Sequence, residues 1–131
     1  MIMFLFLILF SLNCSAAIYK VISVYDGDTF KISFKDEFMT NPSVRIRGID
    51  TPELGRRAKC ESENISSINA KKFLTGLILN KEVKLENISK DKYGRILSDV
   101  FIENIDVGKL LIEKGFAKKY EVNIDWCNYG K

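Results

Sequence analysis

Between Ile18 and Ile102 the chain repeats one short pattern, a run of β-branched and aromatic residues closed by turn residues, and breaks it once with a helix. Ile18 to Val24 reads as a first strand, and Asp26-Gly27-Asp28 as the turn that ends it. Thr29 to Lys35 alternates, with Phe30, Ile32 and Phe34 facing one way and Lys31, Ser33 and Lys35 the other, as in a half-buried strand. Asn41-Pro42 marks a loop. Val44 to Ile49 is a third strand, with Val44 and Ile46 opposite in direction to Arg45 and Arg47. Thr51-Pro52 ends it, because Pro52 offers no N–H to a ladder. A loop with Gly55-Arg56-Arg57 leads into a helix from about Glu61 to Leu79, whose apolar face carries Ala70, Phe73, Leu74, Leu77 and Ile78. Asn80 can end it in a left-handed conformation.

Lys81 to Glu86 gives a fourth strand, with Val83 and Leu85 on one side. Asp91-Lys92-Tyr93-Gly94 turns into a fifth, Arg95 to Ile102, where Ile96, Val100 and Ile102 share a face. Asp106 can cap a second helix, Val107 to Lys114, closed by Gly115, with Leu110, Leu111 and Lys114 at inner and boundary positions. Five short strands interrupted by one helix fit an α+β fold, a five-stranded OB-fold Greek-key β-barrel with two or three helices. Other small α+β folds share the same periodicity.

The 131 residues suit one domain. Met1 to Ala17 carries no charge and is apolar up to Leu12 except for Ser11. It reads as a signal peptide with a small-residue cleavage site after Ala16 or Ala17, leaving residues 18–131 as a secreted or periplasmic domain. The apolar run is shorter than the roughly 20 residues that cross a bilayer. No Lys or Arg precedes it, so a membrane-anchored chain with an uncleaved 1–17 stays open. A lipid-modified Cys14 and a buried core segment are weaker alternatives.

The net charge of +3 falls wholly on the part after Ala17, a mild surplus compatible with phosphate. Of three cysteines Cys14 would leave with the leader. An even pair, Cys60 and Cys127, points in an exported chain to one disulfide, with two separate thiols as the alternative. Histidine is absent. That excludes Ser-His triads, His-based ribonuclease chemistry and His-ligated zinc or iron. Acid–base work falls to carboxylates, Lys or Tyr, and any metal must be a hard cation held by oxygen.

Charge gathers beside turns in three segments, Asp26-Gly27-Asp28-Thr29, Arg45-Ile46-Arg47-Gly48-Ile49-Asp50-Thr51-Pro52-Glu53 and Asp91-Lys92-Tyr93-Gly94-Arg95. Each alone is accounted for by turn chemistry. Together, with Asp106-Val107-Gly108 and Gly115-Phe116-Ala117, their order and spacing resemble the staphylococcal (micrococcal) nuclease, or thermonuclease, family from about Ile18 to Tyr120.

The resemblance implies a nuclease hydrolysing phosphodiester bonds in DNA and RNA, single-stranded or locally open, to 3′-phosphate products. Asp28 and Asp50 would give carboxylates, and Thr51 its backbone carbonyl, to Ca²⁺. Glu53 would orient or deprotonate the attacking water. Arg45 and Arg95 would grip the scissile phosphate. Lys92 and Tyr93 resemble residues that touch a terminal phosphate. Tyr120 lies near the place of a tyrosine set against the substrate base, with packing at the barrel edge as its other reading. Arg47, Arg56 and Arg57 are candidates for lining the nucleic-acid path, the last two more readily read as plain solvated charge. A monomer without a stable protein partner is expected.

The tail departs from the staphylococcal enzyme, which ends in a third helix; here a brief segment after Tyr120 carries Asp125-Trp126-Cys127. Some exported Gram-negative relatives pair a Cys after the Thr-Pro-Glu loop with a Trp-Cys near the C-terminus, and Cys60 and Cys127 look similar. A catalytically inactive OB-fold module that binds nucleic acid or protein is the competing function. Such modules typically lose site residues, whereas Asp28, Arg45, Asp50, Glu53 and Arg95 are all present.

Overall fold

The computed structural model describes residues 17–121 and 123–128. The leader expected at the N-terminus lies outside them except for Ala17, which begins the first strand. The elements are β1 (Ala17–Val24), β2 (Thr29–Ile32), β3 (Ser43–Ile46), β4 (Ile49–Asp50), a 3-10 turn (Gly55–Arg57), α1 (Glu61–Ile78), β5 (Glu82–Lys90), β6 (Ile96–Ile102), β7 (Ile105–Asp106), α2 (Val107–Glu113) and β8 (Lys118–Lys119). Strands run β3-β2-β1-β5-β6 with antiparallel neighbours, and β3 returns to pair with β6 in parallel, Arg45 opposite Leu97. That pairing closes a five-stranded mixed barrel of the OB type, with α1 and α2 packed on it. β7 extends β6, and β4 pairs with β8 as a separate short ladder.

Alternation along the strands fills the interior. Phe30 and Ile32, Val44 and Ile46, Val83 and Leu85, and Val100 and Ile102 all point into one buried cluster. From α1, Ala70, Leu74 and Ile78 are buried, and Phe73 stacks on Phe116 with ring centroids 4.6 Å apart. Each fully buried Leu or Ile contributes about 1.5–3 kcal/mol, before the entropy of ordering the chain is subtracted. The buried positions of α2 are Val107, Gly108 and Leu111; Leu110 is half-buried and Lys114, expected at the boundary, is exposed.

Strand boundaries differ from the sequence expectation where side chains or turns take over the backbone groups. β2 stops at Ile32 because Asn41 Oδ1 takes the Phe34 N–H and Asp36 Oδ1 takes those of Phe38 and Met39. The expected third strand is two pieces: β3 ends at Ile46, and Gly48, at φ +78°, turns the chain into β4. β5 runs on past Glu86 to Lys90, its register shifting between Glu86 and Ser89 around Asn87, at φ +53°. Asp106 caps α2 through the Lys109 N–H, and Asn80 is left-handed after α1, both as the sequence indicates.

The Cys60–Cys127 disulfide is formed, with Cα atoms 6.0 Å apart, and ties the tail to the residue that caps α1. In chain-entropy terms, closing a span of 67 residues stabilises the fold by about 4 kcal/mol at most.

Candidate active site

The β1–β2 turn is pressed against the rest of the fold. A Cβ on Gly27 would lie 2.7 Å from the Ala70 Cβ and 3.0 Å from the Thr51 methyl. That close approach sets Asp28 against the loop after β4. Asp28 is 6% exposed. Its Oδ1 accepts the Thr29 hydroxyl at 2.9 Å and its Oδ2 accepts the Thr51 hydroxyl at 2.9 Å. Arg45 Nη2 lies 3.2 Å from Asp28 Oδ2 and 3.8 Å from Asp50 Oδ1. Asp28, Arg45, Asp50 and Thr51 therefore form one interlocked group.

Arg45 does not project from the barrel. Its side chain is 13% exposed, and its guanidinium donates to the carbonyls of Ile46, at 2.7 Å, and Ile49, at 2.9 Å. The turn into β4 brings those carbonyls back over β3.

Beside this group opens a cleft of about 590 Å³, lined by Asp26, Asp28, Arg45, Glu53, Arg57 and Arg95 with the rings of Tyr25 and Tyr93. Arg95 comes from the β5–β6 hairpin. Asp91 holds it there, with Arg95 Nε 2.6 Å from Asp91 Oδ2 and the Arg95 backbone N–H on Oδ1 at 2.9 Å. Burial pushes the Asp91 carboxyl up, but the Arg95 hydrogen bonds outweigh it and leave the group below its ordinary value. The Tyr93 ring sits 5.3 Å from the Arg95 guanidinium carbon and 5.1 Å from Lys92 Nζ.

A second, smaller cleft of about 270 Å³ borders Arg45, Lys92, Tyr93, Arg95 and Tyr120. Tyr93 is 71% and Tyr120 61% exposed, so the Tyr120 ring is not packed into the barrel edge. Its backbone N–H is bonded to Gly48. Asp28, Arg45, Glu53, Lys92, Tyr93, Arg95 and Tyr120 thus gather around two adjoining clefts, while Asp50 lines a third opening beside Glu53, Arg57 and Trp126.

Arg47 does not join them. It is spent on the barrel itself, donating to the Asn87 carbonyl, to Ser89 Oγ at 2.9 Å and to the Leu97 carbonyl at 3.2 Å. Arg57 lines the larger cleft, while Arg56 is exposed.

Negative charge is crowded here. Burial, and after it the Asp28 charge, pushes the Asp26 carboxyl up to about 7. Burial and then Asp28 also raise Glu53, with Arg57 pulling it back. Burial raises Asp50, against a hydrogen bond from Trp126 and with Asp28 repelling it. The smaller, repulsive part of these shifts is what a bound dication would relieve. The donors are all oxygen, which suits calcium. Among the described residues no three acidic side chains close into a ready-made cage. A cation here would draw on Asp28 and Asp50 with backbone and solvent oxygen.

Asp26 and Trp126 are candidate site residues beyond those assigned from the sequence, and Arg57, a candidate there for the nucleic-acid path, lines the larger cleft. Asp26 stood inside the Asp-Gly-Asp motif, whose second carboxylate drew the assignment. For Trp126 the one signal was its position beside a bridged cysteine.

A closed OB-type barrel with acids and arginines gathered between its β1–β2 turn and its β5–β6 hairpin defines a barrel protein with an open, charged cleft. The profile of the family described as staphylococcal nuclease homologue matches residues 43–130. Over 128 residues the chain is 30% identical to an uncharacterized protein of Methanocaldococcus jannaschii, covering 81% of this chain and 60% of that one. It is 30% identical over 129 residues to the probable endonuclease LCL3 of Uncinocarpus reesii, covering 78% of this chain and 41% of that one. It is 29% identical over 99 residues to the probable staphylococcal-like nuclease CAN3 of Oryza sativa, covering 76% and 22%. The chain thus spans less than two thirds of each of these relatives. It belongs to the staphylococcal nuclease homologue family.

Proposed function

We propose that the chain is a calcium-dependent nuclease hydrolysing phosphodiester bonds of single-stranded or locally open DNA and RNA, with products ending in 3′-phosphate and 5′-hydroxyl. The observation that carries this reading is the single cleft in which Arg45, Arg95, Glu53 and Asp28 meet. The names of the fungal and plant relatives support its nuclease part.

Attack on phosphorus piles negative charge on the phosphoryl oxygens, and fixed guanidinium groups stabilise it where it develops. Arg95 is held through Nε, so its two Nη groups remain for a phosphate. Arg45 is pinned by two carbonyls and Asp28, which orients it before substrate arrives. Glu53 is the base, holding and deprotonating the attacking water in a chain without histidine. Asp28 and Asp50, with the Thr51 carbonyl, would hold a calcium ion, which when bound would supply further positive charge to the phosphate. Tyr93 and Tyr120 offer stacking faces for bases, and Lys92 a charge for a neighbouring phosphate.

End-group analysis of products from denatured DNA, with wild type beside Glu53→Gln, tests the reading. The expected result is 3′-phosphate ends from wild type and at least about a hundredfold slower cleavage by the variant. Binding of single strands without cleavage would favour the inactive module. We further propose that the domain is exported, with residues 1–17 as its leader. The mass of the mature N-terminus separates this from an anchored form.

A further inference from the structure

Trp126 is the sole tryptophan of the chain and lies in the tail beyond the barrel. Its indole N–H donates to Asp50 Oδ2 at 3.2 Å. The other oxygen of that carboxylate, Oδ1, is the one turned toward Arg45 Nη2, 3.8 Å away. The next residue, Cys127, is bridged to Cys60 at the head of α1. Lys118, paired with Asp50 in the β4–β8 ladder, sets its ammonium 4.7 Å from the centroid of the indole. Among the described residues after Lys119 there is no helix or strand. The disulfide is therefore the covalent hold that keeps the indole near Asp50.

A half-buried carboxylate that takes a cation through one oxygen needs its plane fixed, and an N–H on the second oxygen does that. We propose that Trp126 is a positioning residue: its indole N–H orients the Asp50 carboxylate for the calcium ion, and the Cys60–Cys127 disulfide holds the indole in place, so that cation uptake depends on the oxidised tail. This rests on the calcium reading above. Asp50 belongs to a two-residue strand outside the barrel sheet, held by a two-pair ladder to β8. The tail supplies the restraint that the short strand lacks.

Calorimetric calcium titration of the full oxidised chain, of Trp126→Phe and of the Cys60→Ser/Cys127→Ser pair tests the proposal. Phe keeps a ring beside Lys118 and removes the N–H. The expected result is about tenfold weaker calcium binding by Trp126→Phe, the loss typical of a removed partner behind a metal ligand, with a melting temperature close to wild type. A similar weakening is expected in the serine pair. In wild type the fluorescence of this single tryptophan should change on calcium addition, a signal that reports the site without any substrate. Equal calcium affinity in wild type and Trp126→Phe overturns the proposal, and so does undiminished affinity in a folded serine pair. A wild-type chain that takes up no calcium overturns the cation reading beneath it, a different result from two chains that bind alike.

Discussion

Arg45 and Arg95 look equivalent as residues in the sequence, and the structure separates them. Arg45 is nearly buried and bonded to two carbonyls, while Arg95 is a third exposed at a hairpin and bonded to Asp91. Lysine in either place keeps the charge and loses the planar fork. Both variants should cleave denatured DNA at least about a hundredfold more slowly. Arg45→Lys should also unfold more readily, by about 2 kcal/mol for the buried hydrogen bonds it loses, whereas Arg95→Lys should melt near wild type. Thermal unfolding beside turnover checks both; an Arg45→Lys chain as stable as wild type would contradict the pinned geometry. Gly27 makes a sharper case. Its missing Cβ lets the turn touch Ala70 and Thr51, so Gly27→Ala should cost about 1–3 kcal/mol as overpacking and weaken activity by shifting Asp28. Wild-type stability in that variant would mean that the turn has room to move.

The disulfide works on an element, the tail, whose described residues after Lys119 form no helix or strand. Reducing it should lower the melting temperature, the stability lost being about 4 kcal/mol at most, while the barrel stays folded; thermal unfolding with and without reductant checks this. Most elements were legible because burial imposes a period. Phe30 with Ile32, Val83 with Leu85, and Ala70 with Leu74 and Ile78 mark faces that had to turn inward. Boundaries were less legible because they turn on competition for backbone groups. Asn41 and Asp36 cut β2 short with their side chains, and Gly48 split the expected third strand into β3 and β4. The parallel closure of β3 on β6 has no local signature at all. The site showed a similar division. Its motifs named Asp28, Arg45, Asp50, Glu53 and Arg95, but the inward set of Arg45, the diversion of Arg47 to Asn87 and Leu97, and the reach of Trp126 to Asp50 depend on contacts between distant segments.

At the scale of the molecule, a small barrel with a net charge of +3 does not attract nucleic acid by its total charge. Attraction has to be local, from Arg45, Arg57, Lys92 and Arg95 around a site whose carboxylates would otherwise repel phosphate. A bound dication changes the sign of that balance, which makes metal dependence the central claim. Mg²⁺, with its tighter octahedron, should support much less turnover than Ca²⁺. The most direct measurement is cleavage of denatured DNA by the chain stripped with EDTA and then given back calcium. Cleavage should be absent in EDTA and return with Ca²⁺; full cleavage in excess EDTA would contradict it.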